Sequence, residues 1–115
     1  MKNGYNAYLL HIIDAIKNIE EFTKECSKEK FTRTKIIQDS VIRNLEIIGE
    51  AAKHVPAAVR RKYVSIEWKR IAGMRDILIH EYFGVDIDRV WQVLKVRIPE
   101  LKKEINNILR NQSGK

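Results

Sequence analysis

The stretch "YNAYLLHIIDAIKNIEEFTKEC", residues 5–26, decides the fold of this chain. Its apolar side chains recur at spacings of three and four residues, which places them on one face of a helix. These residues are Tyr5, Tyr8, Leu9, Ile12, Ile13, Ile16, Ile19 and Phe22. The pattern predicts a long amphipathic helix over residues 5–26. Because no segment of the chain alternates as β-strands do, we expect an all-α protein.

The next part of the chain predicts a second long helix and a short one. Residues 27–31 form a charged connection, after which Thr32 or Thr34 caps a helix that runs to about His54. Pro56 then opens a short helix, since proline is tolerated in the first helical turn.

Two further helices complete the prediction. Ser65 caps a third helix that ends near Gly84, and Asp86 caps a fourth. The apolar stripe of the fourth helix keeps its phase across Pro99, which predicts one kinked helix rather than two. Long helices with short connections predict an antiparallel four-helix bundle with an extra short helix, formed by residues 1–110 as a single domain and followed by a frayed tail, 111–115.

The second helix is apolar on more than one face. One arc of it contains Ile37, Val41, Leu45, Ile48, Ala52 and Val55, whereas Ile36, Ile42 and Ile47 lie outside that arc. A helix of this kind occupies a central position or buries its second face against another chain. We therefore expect a homodimer.

Bulk properties indicate a cytoplasmic protein. The 115 residues suit one domain, and Cys26, the single cysteine, has no partner for an internal disulfide. No apolar run approaches the roughly 20 residues of a membrane span. No cluster of Cys and His with metal-ligand spacing is present, so we expect no metal, no cofactor and no membrane association.

Positive charge is concentrated in residues 53–75. The formal net charge of the chain is +7, and this segment alone holds seven Lys and Arg against one acid, Glu67. The cations are Lys53, Arg60, Arg61, Lys62, Lys69, Arg70 and Arg75. Clustered positive charge predicts a polyanion partner, and we assign the first six to RNA or phosphate binding. A solvated basic face is the alternative.

Arg75 stands where the helical pattern favours an apolar residue. It lies one heptad after Trp68 and one before Tyr82, in the middle of the apolar arc of the third helix. A buried charge is costly unless it is paired or faces a cleft. A functional arginine that binds phosphate is one interpretation. An arginine that snorkels, or that pairs with a polar side chain such as Asn44, is the other.

His80 is the candidate proton carrier. Asp76 precedes it by four residues, so the carboxylate and the imidazole share a helix face. Such a pair near a helix C-terminus suits proton transfer near neutral pH, although a plain surface pair is the alternative. His11 and His54 are isolated in the sequence, and we interpret them as structural. Because Arg75 and His80 point in different directions, a two-fold dimer would bring both pairs to a shared groove.

These residues resemble a known family. "RDILIHEY", residues 75–82, is similar to the Arg-x4-His-x-Tyr motif of HepT-like toxins, a branch of the HEPN domains. The blocks "VIRNLEIIGEAAKHVP", residues 41–56, and "WKRIAGMRDILIHEYFGVDIDRVW", residues 68–91, are also similar to that family, and the resemblance spans essentially the whole chain.

The resemblance implies an all-α homodimer with the motif in an intersubunit cleft. It implies a metal-independent ribonuclease that is the toxin of a toxin–antitoxin pair, with RNA as substrate. Arg75 and His80 would be catalytic, Asp76 would assist, and Tyr82 would be adenylylated by an antitoxin that resembles the nucleotidyltransferase MntA. That antitoxin would silence the toxin and could form a higher oligomer with it.

Two other functions fit the same residues. A non-catalytic subunit would hold a nucleotide or dock a nucleotidyltransferase through the same basic surface. A plain helical dimerisation module would bind neither nucleotide nor RNA. Only the catalytic function requires His80 in a particular protonation state, which makes the pH dependence of RNA cleavage the discriminating measurement.

Overall fold

The computed structural model describes residues 5–73 and 86–113, and the side chains of residues 6–73 and 86–111. Every regular element in these ranges is helical, which confirms the all-α prediction. The elements are α1 (Tyr5–Phe22), α2 (Lys28–Arg33), α3 (Lys35–Lys53), α4 (Ala57–Lys62), α5 (described over 68–73), α6 (Ile87–Gln92), a π-helical turn (Val93–Arg97) and α7 (Ile98–Ser113).

The core forms where α1 packs against α3 and α7. Within the α1 stripe, Leu9, Ile12 and Ile16 are fully buried, as predicted. The predicted end of this helix at Cys26 is wrong by four residues, because the chain turns through residues 23–26 and positions Ser27 to cap the next helix. Phe22 is therefore 47% exposed rather than buried in the stripe.

The predicted connection at residues 27–31 is wrong, since most of it belongs to α2. The Ser27 hydroxyl accepts a hydrogen bond from the Lys30 amide at 3.0 Å and caps the helix. Phe31 is fully buried, with its ring centroid 5.2 Å from that of Trp91. One buried aromatic side chain thus fixes a six-residue helix whose other residues are exposed and polar.

The predicted arc of α3 is buried except for Ile37, which is half-buried. Val41, Leu45, Ile48, Ala52 and Val55 are at most 1% exposed. Thr34 lies at the junction of α2 and α3, but its hydroxyl donates to the Lys30 carbonyl at 2.6 Å instead of capping α3. Thr32 also donates backwards, to the Lys28 carbonyl at 2.8 Å, so neither threonine is the side-chain cap that we predicted.

The outer face of α3 is mixed. Ile42 and Ile47 are half-buried against the core, whereas Ile36 is 74% exposed. The exposed isoleucine is consistent with a second apolar face on this helix.

α4 follows Pro56 directly, and α5 begins later than predicted. The Ile71 amide donates to the Glu67 carbonyl at 3.0 Å, so helical bonding starts at Glu67. The prediction that Ser65 caps this helix is wrong, because Ser65 belongs to the turn that precedes it. The predicted end near Gly84 lies outside the described residues.

The last helix is continuous from Ile87 to Ser113. Asp86 caps it as predicted, its carboxylate accepting from the Arg89 amide at 3.2 Å. A π-helical turn precedes Pro99, and there the Ile98 amide donates to the Val93 carbonyl. Proline lacks an amide hydrogen, and the wider turn accommodates the interrupted bonding pattern without breaking the helix. α7 extends three residues beyond the predicted boundary at residue 110.

Candidate functional site

The four predicted motif residues lie outside the described part of the chain. Arg75, Asp76, His80 and Tyr82 all fall within residues 74–85, so their assignments remain predictions. The structure describes the segments that flank them in the chain: α4 and α5 before residue 74, and the last helix after residue 85.

α4 and α5 form an open groove of about 580 Å³ that we call the α4–α5 groove. Its lining combines cationic and apolar side chains: Arg60, Val64, Ile66, Glu67, Trp68, Lys69 and Arg70. Trp68 is held in place because it is only 5% exposed and its indole N–H donates to the Tyr63 carbonyl at 3.1 Å. Val64, in contrast, is 75% exposed.

The groove brings together three of the six predicted phosphate-binding residues: Arg60, Lys69 and Arg70. The other three, Lys53, Arg61 and Lys62, are exposed and do not line it. Lys53 Nζ lies 4.0 Å from a Glu50 carboxylate oxygen, and Lys62 Nζ lies 5.6 Å from the ring centroid of Tyr63.

Arg60 differs from its neighbours. Its side chain is half-buried, and its Nε is buried without a hydrogen-bond partner among the residues that the structure describes. An unsatisfied buried donor is uncommon in a folded protein, so Arg60 stands out as a side chain with an unused N–H among the described residues.

Glu67 is neutralised by two arginines. Arg70 Nη1 donates to Glu67 Oε1 at 3.1 Å, and Arg97 Nη2 donates to the same oxygen. Because these hydrogen bonds favour the ionised carboxylate, with Arg97 contributing most, they lower the pKa of Glu67 below its ordinary value. The contact with Arg97 joins the start of α5 to the π-helical turn, a link across thirty residues that the sequence pattern did not indicate.

On the other side of Glu67, α5, the π-helical turn and α7 enclose a second groove of about 420 Å³. Its charged residues include Arg70, Arg97 and Glu104, and the pKa of Glu104 is raised, first by burial and then by repulsion from Glu100. This groove is therefore mixed in charge, whereas the α4–α5 groove has three cations and one neutralised acid.

His11 and His54, which are isolated in the sequence, both contact Tyr8 in the structure. The ring of Tyr8 stacks on that of His54, with centroids 5.0 Å apart, and meets the ring of His11 edge-on at 6.2 Å. His54 Nε2 also lies 3.5 Å from a Glu50 carboxylate oxygen. The three rings line a groove between α1 and α3, and only the pairing of these two helices brings them together.

Asn44, which we considered as a polar partner for Arg75, is buried on α3 with 5% exposure. Its Oδ1 accepts from Asn18 Nδ2 at 3.2 Å, and its Nδ2 donates to the Ser40 carbonyl at 2.8 Å. The involvement of Asn18, on α1, was not apparent from the sequence.

The described residues contain neither a membrane-spanning helix nor a metal-binding group of side chains. In residues 5–73 and 86–113, no helix is long and apolar enough to cross a membrane. In the same ranges, no three His, Cys, Asp or Glu side chains are grouped so that they could hold a metal ion.

Fold and surface together define a helical domain with a cationic groove. Comparison with known proteins gives the family: the family described as Ribonuclease HepT-like matches residues 12–108. The chain belongs to this HepT-like family, as the Arg-x4-His-x-Tyr resemblance indicated.

Relatives of this chain carry ribonuclease names. A "Putative RNase" of Methanocaldococcus jannaschii is 46% identical over 114 residues, which is 99% of this chain and 94% of that protein. A "Probable ribonuclease HepT" of Thermococcus cleftensis is 46% identical over 108 residues, covering 94% of this chain and 98% of that protein.

A third relative is longer. The "Gamma-glutamylcyclotransferase and putative RNase" of Methanocaldococcus jannaschii is 50% identical over 109 residues, and the match spans 95% of this chain but only 49% of that protein. No solved structure matches the chain significantly.

Proposed function

We propose that this protein is a metal-independent ribonuclease of the HepT-like family. The observation that carries the proposal is the family match over residues 12–108, which includes the Arg-x4-His-x-Tyr motif at residues 75–82. Two relatives are named as a putative RNase and a probable ribonuclease, which supports RNA cleavage. The α4–α5 groove supports it further, because it offers cations to an RNA backbone and its residues precede the motif directly in the sequence.

The proposed reaction is transfer of a phosphodiester to the neighbouring 2′-hydroxyl. The 2′-oxygen loses its proton and attacks phosphorus, the bond from phosphorus to the 5′-oxygen breaks, and the leaving oxygen takes up a proton. His80 moves one of these two protons, and Asp76 holds the imidazole in its orientation. Arg75 stabilises the negative charge that builds up on the phosphorus oxygens. The products are a 2′,3′-cyclic phosphate and a free 5′-hydroxyl.

Because these residues would face different directions on one helix, we propose that a homodimer completes the site. The 74% exposure of Ile36, which lies outside the buried arc of α3, supports an apolar contact with a second copy.

We also propose that the protein is the toxin of a toxin–antitoxin pair, which a nucleotidyltransferase antitoxin silences by adenylylating Tyr82. The modification would add a bulky anion next to the catalytic residues, and it would exclude RNA by occupancy and by charge repulsion. Incubation with such a partner and ATP should add the mass of an adenylyl group, and the gain should vanish in Tyr82→Phe.

The decisive test is cleavage of RNA by purified His80→Ala protein in the presence of a chelator. Wild type should cleave and leave cyclic phosphate ends, whereas His80→Ala should lose at least a hundredfold in rate, the usual contribution of a general acid or base. Equal rates for the two proteins would disprove the catalytic assignment and favour the non-catalytic binding subunit.

A further inference from the structure

We propose that Arg60 binds one phosphodiester group of single-stranded RNA within the α4–α5 groove, through its Nε–H as well as its charge. This proposal rests on the proposed ribonuclease function, because that function makes RNA the ligand. It adds a binding subsite that lies outside the Arg-x4-His-x-Tyr motif.

The first observation is the state of the Arg60 side chain. Its Nε is buried and has no hydrogen-bond partner among the described residues, although the side chain borders an open groove. A guanidinium presents its N–H groups in a planar fork that matches a phosphate group, with Nε and one terminal nitrogen donating in parallel. A phosphate in the groove would satisfy this donor, which the described residues leave unpaired, once the side chain turns its buried Nε toward the groove.

The second observation is the local charge. Lys69 lines the same groove and is exposed, whereas the one acid in the lining, Glu67, is occupied by Arg70 and Arg97. The lowered pKa of Glu67 agrees with this pairing. An incoming phosphate therefore meets two available cations, Arg60 and Lys69, and a carboxylate whose charge is already balanced.

The third observation indicates that the groove prefers single-stranded RNA over duplex RNA. Val64 is 75% exposed in the groove, next to the buried Ile66 and Trp68. Duplex RNA presents mainly phosphates and ribose hydroxyls, whereas a single strand also offers unstacked bases for contact with apolar side chains. A groove that combines cations with an exposed aliphatic side chain fits a phosphate and its adjoining unpaired base.

The test measures binding without cleavage. The probe is a fluorescent 2′-O-methyl oligoribonucleotide, which cannot react because its 2′-oxygens are blocked, and the readout is fluorescence anisotropy over a salt series. Arg60→Lys keeps the charge but removes the Nε–H donor, so we expect about tenfold weaker binding with an unchanged salt slope. Arg60→Gln should weaken binding further and reduce the slope of log K against log salt by about 0.7.

Arg33→Lys is the matched control. Its Nε already donates to the Glu29 carbonyl at 3.4 Å, on a helix away from the groove, and it should bind like wild type. Lys69→Gln, a change at an exposed side chain, should weaken binding and reduce the salt slope even if the Arg60 variants fold poorly.

Wild-type affinity in Arg60→Lys, or in Lys69→Gln, would overturn the proposal. Equal losses on a duplex probe would overturn the single-strand assignment. A wild-type protein that binds the probe but never cleaves unmodified RNA would refute the ribonuclease function while leaving this subsite intact.

Discussion

The substitution Asn44→Leu tests whether the Asn44 side chain supports only the fold or also RNA cleavage. Asn44 is buried, and its two bonds to described residues, with Asn18 and Ser40, use one acceptor position and one N–H of the amide. A side-chain amide has two of each, so Oδ1 keeps a second acceptor position. We predict that this position accepts from Arg75 and holds the guanidinium in place.

The expected cost to stability is small. Each of the two bonds contributes about 0.5–1.5 kcal/mol net. Among the described residues, Asn44→Leu leaves no orphaned group behind, because the Ser40 carbonyl keeps its helical partner and Asn18 is exposed to water. The Arg75 guanidinium would lose its predicted acceptor, and we expect its long side chain to turn to water instead. Leucine fills the space with apolar surface, which offsets most of the lost bonding. We therefore expect the free energy of unfolding to change by no more than about 1 kcal/mol in denaturant titrations.

The expected cost to catalysis is larger. A hydrogen bond to a charged group contributes about 1.5–3 kcal/mol, which corresponds to roughly a ten- to hundredfold loss of kcat/KM for RNA cleavage. The loss should fall on kcat, with binding of the uncleavable probe unchanged. Asn18→Ala is the matched control, because it removes the bond between Asn18 and Asn44 but keeps the Asn44 amide. If Asn44→Leu retains cleavage within twofold of wild type, or if both variants lose activity equally, the positioning role is refuted.

Two further predictions concern the fold. Phe31→Ala should cost about 3–5 kcal/mol in urea titrations, because a fully buried ring packed against Trp91 is what attaches α2 to the core; a change below about 1 kcal/mol would show that α2 is not anchored there. The pKa of Glu67 is lowered in the folded state, so its contribution to stability is complete above its ordinary value of 4.5 and is lost as pH falls through the lower folded value. In Glu67→Gln this acid-side loss should be smaller than in wild type, and identical stability–pH curves would contradict the pairing with Arg97.

Periodicity was sufficient to predict the long helices. Leu9 and Ile12 on α1, and Val41 and Leu45 on α3, are buried because a spacing of three and four residues leaves one face for the core. The carboxylate of Asp86 was equally predictable as a cap, since its role depends on the three residues that follow it.

Short elements and contacts between distant residues were not predictable in this way. α2 contains one buried residue, Phe31, and a single side chain has no period. Ser27 was a usable signal, because serine is a favoured N-cap residue, but the dense charge of residues 27–31 suggested a loop. The stacking of Tyr8 on His54 depends on how α1 and α3 meet, and so does the bond between Asn18 and Asn44.

The fold changes the effect of Glu67 on the positive charge of residues 53–75. In sequence, Glu67 reduces the positive charge of residues 53–75. In the structure, Arg97 donates to Glu67 from outside that segment and lowers its pKa, and so supplies a further positive charge that offsets the acid. The cationic character of the α4–α5 groove thus depends on a residue of the last helix. The contact between Glu67 and Arg97 therefore links the proposed binding surface to the last helix.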